Sequence, residues 1–249
     1  MDPFFVRGQK RASSILVCNR EAQEKLPSKW SHKSQLFPVS GISSEDMAYS
    51  GNGNHHPGPF KILSAGSLIR VKGFGLTVKA FSEFSKRHPD ARLSIIGSGP
   101  EERRLKAAAN NLGVSNIIEF IDWLPREALL TKMAEADVFL FPSLRDGGGT
   151  VVIEAMSMGT PVVCLDNGGP GLHVTEECGF RITPRTPRET VVDLADALDR
   201  LYSDEDLRRS MGAEGRARAE TLYNWDRLGE RLRDIYGQAI NEEAFNSTR

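Results

Sequence analysis

From Lys61 onward, short apolar runs alternate with amphipathic segments, and this alternation restricts the possible fold more than any other feature. The apolar runs have the length of strands, and the segments between them have the period of helices. The predicted strands are residues 61–65, 92–96, 117–120, 138–141 and 161–165. The predicted helices are residues 73–87, 101–112, 126–134 and 151–158. This order predicts an α/β fold, a doubly wound, Rossmann-like parallel sheet with helices on both faces.

The two ends of the chain predict smaller elements. Residues 14–18 are a strand candidate and residues 20–26 a short polar helix. Residues 40–59 are rich in Ser, Gly, Asn and Pro, a composition typical of a linker or mobile loop. Further helices are expected at residues 188–202, 204–221 and 225–240. The chain therefore divides into residues 1–59, which precede the domain, residues 60–240, which form it, and a flexible tail at 241–249.

Charge and cysteine content exclude several classes of protein. The 32 Lys and Arg residues almost balance the 33 Asp and Glu residues, so no global field favours nucleic acid. The basic cluster at residues 7–11 is interpreted as a solvated arm. The 3 cysteines lack CxxC spacing, which suits a reducing compartment and argues against a disulfide framework. No apolar run reaches about 18 residues. A cytoplasmic protein is expected, with peripheral membrane association at most.

The loop after the first predicted strand of the domain carries two cations. Sheets of this kind bind ligands at the carboxyl ends of their strands. Arg70 and Lys72 stand just before a helix, whose N-terminus already carries partial positive charge. An anionic ligand would explain them, and Lys72 with nearby backbone amides could hold a diphosphate without a metal. An ordinary exposed loop explains them equally well.

The loop after the next strand begins with Gly97. A glycine there allows a ligand to approach the backbone, although tight packing alone would also require it. Glu102 stands where GxGxxG needs its last glycine, so the dinucleotide fingerprint is absent. A nicotinamide-dependent dehydrogenase is therefore disfavoured.

The most informative stretch, residues 142–161, reads PSLRDGGGTVVIEAMSMGTP. Three glycines between a strand and a helix offer amides to phosphate oxygens. Asp146 precedes them, and Glu154 follows 8 residues later in an apolar segment, where burial without a partner would be costly. A capping box from Thr150 would need an acid at Ile153. A ligand diol is the better partner for Glu154, with compensation of the helix dipole as the alternative.

These loops resemble the family-4 retaining glycosyltransferases of GT-B architecture. The C-terminal domain of that family carries G-R-L…K-G near its start, followed by E-G-F-G…E-A…G-x-P-V. The resemblance covers roughly residues 61–239. The counterparts are Gly66-Ser67-Leu68, Lys72-Gly73, Asp146-Gly147-Gly148-Gly149, Glu154-Ala155 and Gly159-Thr160-Pro161-Val162.

The resemblance implies a role for each matched position. Lys72 would bind the donor diphosphate, Glu154 the ribose hydroxyls and Asp146 the hydroxyls of the transferred sugar, without any metal or other cofactor. The amides of Gly148, Gly149, Thr150 and Val151 would contact the phosphates and sugar. The turns at Gly97 and at Trp123 and Leu124 would border the base.

Two substitutions depart from the family pattern. Ser67 replaces the arginine after Gly66 and removes one phosphate-binding cation, for which Arg70 is a candidate substitute. Asp146 replaces the first glutamate and keeps its charge on a shorter side chain.

The length of the chain departs further from that family. Enzymes of this architecture close two domains over donor and acceptor, and only residues 14–42 resemble the end of an N-terminal domain. We therefore expect the chain to bind a UDP-, GDP- or ADP-linked sugar. Transfer to an acceptor sugar or lipid-linked glycan is expected to need the missing N-terminal domain. The alternative is a non-catalytic nucleotide-sugar-binding module or partner subunit, and an epimerase of the same architecture ranks below both.

Metal-dependent chemistry has weak candidates. Asp204-Glu205-Asp206 has DxD spacing, but it opens a predicted helix, where acids cap the N-terminus. His55 and His56 are adjacent in the flexible segment and lack further ligands at suitable spacing. The sequence predicts no metal site.

Overall fold

The computed structural model describes residues 3–49 and 58–247. Over those ranges the chain forms eight strands: β1 (Ile15–Val17), β2 (Ser34–Leu36), β3 (Lys61–Ala65), β4 (Arg92–Ile96), β5 (Ile118–Ile121), β6 (Val138–Phe141), β7 (Val162–Leu165) and β8 (Gly179–Ile182). The helices of the same ranges are α1 (Pro3–Arg11), α2 (Arg20–Glu24), α3 (Ser28–Ser31), α4 (Phe74–Ser85), α5 (Glu102–Asn111), α6 (Arg126–Ala134), α7 (Thr150–Ser157), α8 (Gly168–His173), α9 (Pro187–Ser203), α10 (Glu205–Tyr223) and α11 (Trp225–Ser247). Two 3-10 turns cover Asp46–Tyr49 and Arg70–Lys72.

The central sheet is parallel and doubly wound, as the sequence predicts. In the described ranges it has six strands in the order β5-β4-β3-β6-β7-β8. The chain first builds outward from β3 to β5 and then returns to place β6 on the other side of β3. β3 and β6 are therefore neighbouring strands, and the connections that follow them run to opposite sides of the sheet. Such a reversal opens a crevice at the carboxyl edge of the sheet, where ligands bind in this class of fold.

Apolar side chains alternate between the two faces of the sheet and form a core on each. On one face Ile62, Leu140 and Val163 pack with helices α4, α5 and α9. On the other face Leu63, Phe139 and Cys164 pack with helices α6, α7 and α10. Burial on both faces explains why these strands are continuous apolar runs in the sequence.

Two elements of the domain, β8 and α8, differ from the sequence-based prediction. The edge strand β8 contains Arg181 and is only partly buried beyond Gly179, so it lacks the apolar run of a central strand. Helix α8 has the sequence GGPGLH, whose glycines and proline disfavour a helix by local propensity. Both elements depend on packing against the rest of the domain.

The expectation of a linker at residues 40–59 is wrong for its first half. Ile42 is fully buried, and its backbone bonds with those of Tyr223 and Trp225 at 2.8 and 3.1 Å. Met47 is also buried. The composition of the segment cannot show this, because the apolar surface that covers Ile42 and Met47 belongs to other parts of the chain. His55 and His56 lie outside the described residues.

The two termini also differ from expectation. The basic residues 7–11 belong to α1, a helix that was not predicted, and the side chains of Arg7, Lys10 and Arg11 are exposed. Helix α11 continues to Ser247, past the predicted start of a tail at residue 241. Within the described ranges, helices that are both long and apolar enough to cross a bilayer are absent.

Candidate functional site

Lys72 and Asp146 meet across the crevice between β3 and β6. Lys72 ends the 3-10 turn after β3, and Asp146 follows β6. The Lys72 Nζ atom lies 2.5 Å from Asp146 Oδ2, and the side chains are 24% and 12% exposed. The same Nζ lies 5.7 Å from the centroid of the Phe141 ring, within range of a cation–π interaction. Two residues that are 74 positions apart thus form one partly buried ion pair.

Asp146 also organises the glycine loop that follows it. Its Oδ1 atom accepts hydrogen bonds from the amides of Gly148 and Gly149 at 3.1 and 2.8 Å. Its backbone carbonyl accepts a hydrogen bond from the Gly169 amide at 2.8 Å. Burial raises the pKa of Asp146, but the bonds from Lys72, Gly149 and Gly148 outweigh it and hold the pKa below its ordinary value. The carboxylate is therefore ionised at neutral pH.

This arrangement corrects the expected role of two glycine amides. Gly148 and Gly149 donate to the Asp146 carboxylate, so their amides do not face a free anion site. The amides of Thr150 and Val151, at the start of α7, donate no hydrogen bond to any described residue. The Thr150 hydroxyl lies 2.5 Å from Ser40 Oγ. The first two amides of α7 are therefore free donors with respect to the described residues.

Glu154 lies one turn into α7 and is 6% exposed. The sequence suggested a ligand diol as its partner, and the structure adds a protein cation. Arg126, at the start of α6, donates from Nη1 to Glu154 Oε1. Burial raises the pKa of Glu154, and the Arg126 cation only partly opposes the shift. Glu154 Oε2 receives no hydrogen bond from a described residue, so one oxygen stays available.

Arg126 connects Glu154 to the segment ahead of the domain. Its Nη2 and Nε atoms lie 3.1 and 3.3 Å from the two carboxylate oxygens of Asp46. The Arg126 bond lowers the pKa of Asp46 against the effect of burial. Neither Arg126 nor Asp46 was predicted as a site residue. A signal for Arg126 was available, because it is a cation at a helix N-terminus, as Lys72 is.

The remaining predicted residues occupy the same edge of the sheet without joining the ion pairs. A side chain on Gly97 would begin 2.0 Å from the Gly66 carbonyl oxygen, so the two loops pack too closely for any other residue at position 97. Ser67 and Arg70 are exposed. Trp123 is 73% exposed, beside a half-buried Leu124. Among described residues, no hydrogen bond or ion pair links these side chains to Lys72.

Of the weak metal candidates, Asp204 has a structural role, and His55 and His56 lie outside the described residues. Asp204 caps α10 by accepting a hydrogen bond from the Leu207 amide at 2.8 Å. Residues 3–49 and 58–247 contain no group of three or more His, Cys, Asp or Glu side chains placed to hold a metal ion.

A doubly wound parallel sheet with an ion pair at its switch point defines a Rossmann-like α/β domain, a class in which ligands bind at the carboxyl edge. The chain belongs to the family described as Glycosyl transferases group 1, whose model matches residues 48–218. The structures that it resembles have the GT-B fold.

Three matches show how much of a relative this chain covers. It is 33% identical, over 68% of its length, to a GDP-mannose-dependent monoacylated alpha-(1-6)-phosphatidylinositol monomannoside mannosyltransferase of Corynebacterium glutamicum, and covers 44% of that protein. The pneumococcal O-GlcNAc transferase GtfA, solved with UDP and GlcNAc, matches with a TM-score of 0.76 at 20% identity, over 96% of this chain and 48% of that one. The C-terminal domain of a group 1 glycosyl transferase (LpcC) from Francisella tularensis matches with a TM-score of 0.65 at 22% identity, over 74% of this chain and all of that one (100%). The chain thus spans less than half the length of the curated relative.

Proposed function

We propose that this domain binds a nucleoside diphosphate sugar and forms the donor half of a retaining, metal-independent glycosyltransferase of family 4. The observation that carries the proposal is the position of the Lys72–Asp146 pair. It lies at the switch point of the sheet, next to the helix start whose Thr150 and Val151 amides lack acceptors among the described residues.

The diphosphate is assigned to Lys72 and the start of α7. Helix N-termini attract anions because their first amides are unpaired and the helix dipole is positive there. Lys72 adds a full positive charge, which also forms an ion pair with Asp146. Arg70, which has no ion pair with a described residue, is the second candidate cation.

The hydroxyl groups of the donor are assigned to the two acids. Glu154 Oε2 can accept from a ribose hydroxyl while Oε1 stays with Arg126. Asp146 Oδ1 already accepts two amide bonds, so only Oδ2 can accept from the transferred sugar. The turns at Gly97 and at Trp123 and Leu124 would border the base. The name of the Corynebacterium glutamicum relative specifies GDP-mannose, and GtfA was solved with UDP. GDP and UDP are therefore the first nucleotides to test.

In this proposal the bond to the sugar is broken with the help of positive charge that is fixed in the site before the reaction. When the bond between the sugar and the phosphate breaks, negative charge grows on the leaving diphosphate. Fixed cations and amides stabilise that charge without reorganising at the moment of reaction. Retention of configuration is part of the proposal through the family resemblance.

The acceptor is assigned to a domain beyond this one, in a cytoplasmic protein with at most peripheral membrane contact. The chain covers 44% of the curated relative. We therefore infer that transfer by this chain needs an N-terminal companion. The alternative function is therefore a donor-binding module without catalysis.

A panel of UDP-, GDP- and ADP-sugars titrated by calorimetry tests the binding. We expect one nucleotide class to bind in the micromolar to millimolar range, about −8 to −4 kcal/mol, without added metal. Donor hydrolysis, measured for the chain alone and with an N-terminal companion chain, separates the two functions. Hydrolysis in neither condition would favour the binding module, and no binding to any donor would refute both.

A further inference from the structure

His173 is a buried polar residue that the donor-binding proposal does not use. It ends α8 and is 1% exposed. Its Nε2 atom lies 2.7 Å from the Gly148 carbonyl oxygen, and its Nδ1 atom lies 3.0 Å from the Tyr223 hydroxyl. A carbonyl oxygen can only accept, so Nε2 carries the proton and Nδ1 accepts from Tyr223. Burial lowers the pKa of His173 and raises the pKa of Tyr223, which keeps both side chains neutral.

The hydrogen bond from His173 reaches the same peptide group that Asp146 holds. The Gly148 carbonyl and the Gly149 amide belong to one peptide unit. The carbonyl accepts from His173, and the amide donates to Asp146 Oδ1 at 2.8 Å. Gly149 has φ of +61°, and a peptide between two glycines rotates at little steric cost. The two bonds together select one orientation of this peptide.

That peptide directly precedes α7. The next two amides, those of Thr150 and Val151, have no acceptor among the described residues. A rotation at Gly148 and Gly149 would move the start of the helix relative to Lys72. We propose that His173 is a positioning residue for the donor diphosphate, holding the Gly148–Gly149 peptide so that the first amides of α7 keep their place. This inference rests on the proposed function.

His173 is itself fixed from helix α10. The Arg218 Nε atom donates to the His173 carbonyl oxygen at 2.8 Å, and the Tyr223 ring lies edge-on to the imidazole with centroids 4.8 Å apart. An apolar side chain of similar size would fill the space without any need for polar partners. The hydrogen bond to the glycine loop accounts for a buried imidazole at this position.

Three variants test the role of His173. His173→Leu removes both ring hydrogen bonds, His173→Gln keeps an amide N–H that can donate to Gly148, and Tyr223→Phe removes only the hydroxyl group. Calorimetry compares UDP and GDP with uridine and guanosine, and NMR measures hydrogen exchange at the Gly149 amide. We expect His173→Leu to weaken diphosphate binding about tenfold, with nucleoside binding unchanged and Gly149 exchange faster. His173→Gln should recover most of both effects, and Tyr223→Phe should shift them in the direction of His173→Leu.

The two readouts separate this inference from the proposed function. Parent-like diphosphate affinity together with unchanged Gly149 exchange in His173→Leu would overturn it. Equal loss of diphosphate and nucleoside binding would also overturn it, since that pattern indicates general damage. If His173→Leu does not fold, Tyr223→Phe decides by the same criteria. If the parent binds none of UDP, GDP and ADP, the donor-binding proposal fails and so does the assigned purpose of His173, even if slow Gly149 exchange shows that His173 and Asp146 hold the peptide.

Discussion

The Nζ atom of Lys72 lies 2.5 Å from Oδ2 of Asp146, so the cation assigned to the donor diphosphate already has a carboxylate partner. The pair joins the loops that follow β3 and β6. A bound phosphate would share Lys72 with Asp146 and would not meet a free ammonium group. The acid therefore fixes the position of Lys72 and also reduces its attraction for an anion.

We predict that Asp146→Asn and Asp146→Ala differ in binding a nucleoside diphosphate without sugar. Asparagine keeps an oxygen for the Gly148 and Gly149 amides and releases Lys72 from its counter-charge, so affinity should equal or exceed that of the parent. Alanine frees the glycine loop as well, and affinity should fall about tenfold. Calorimetry measures both, with Asp206→Asn on the exposed face of α10 as the control. Equal losses in the two Asp146 variants would contradict the loop-organising role of this side chain.

Arg126→Ala should raise the pKa of Glu154 further, because burial then acts on the carboxylate without its cation. The pKa of Asp46 should return toward its ordinary value in the same variant. Carboxyl chemical shifts followed during an NMR pH titration measure both. A loss of about 1–3 kcal/mol in unfolding free energy is expected from the unpaired buried acid. Arg103→Ala, on exposed α5 surface, is the control, and unchanged titration of Glu154 would show that the ion pair is absent in solution.

His173→Gln should flatten the dependence of stability on pH below neutrality. Burial, aided by the Arg218 charge, lowers the pKa of His173 in the folded protein below its ordinary value of 6.5. Below pH 6.5 the imidazole of His173 is protonated in the unfolded chain but stays neutral in the folded chain. The contribution of His173 to stability is therefore complete above pH 6.5 and decreases as the pH falls below that value. Urea unfolding between about pH 8 and pH 5 measures the slope. Identical slopes in parent and variant would contradict a buried neutral imidazole.

Gly73→Ala should destabilise the protein, whereas Gly75→Ala should not. Gly73 has φ of +73°, and a Cβ atom there would lie 1.9 Å from the Pro142 carbonyl oxygen. Gly75 lies within α4, and a Cβ atom there meets nothing within 4 Å. The left-handed backbone costs alanine about 1–2 kcal/mol at position 73 before the clash is counted. Alanine at position 75 should stabilise the helix by about 0.5–1 kcal/mol. Thermal unfolding of the two variants distinguishes them, and an unchanged melting temperature for Gly73→Ala would contradict the described turn.

The sheet could be predicted from the sequence because strands such as β6 and β7 are buried on both faces and appear as unbroken apolar runs. Asp146 could be placed in the crevice for a related reason, since the order of strands and helices fixes which loops reach the carboxyl edge. Edge strand β8 and helix α8 could not be predicted, because neither is favoured by its own residues. They form through contacts with elements that are distant in the sequence.

The partners of the site residues were the least predictable part. Arg126 reaches Glu154 from 28 positions away, and Asp46 reaches Arg126 from 80. Nothing local in the sequence encodes those distances. The same holds for the glycine amides, because Asp146 could equally have left them free for a phosphate. Only the bend of the loop decides that Oδ1 accepts from Gly148 and Gly149.

The most direct test of the whole account is the affinity of Lys72→Ala for the donor nucleotide that the parent binds, measured by calorimetry with a chelator present. Removing the ammonium group should weaken binding at least about tenfold, and Glu154→Ala should do the same through the ribose hydroxyls. Lys79→Ala, which removes an exposed charge from α4, should bind as the parent does. Parent-like affinity in both Lys72→Ala and Glu154→Ala would place the donor site elsewhere on the molecule.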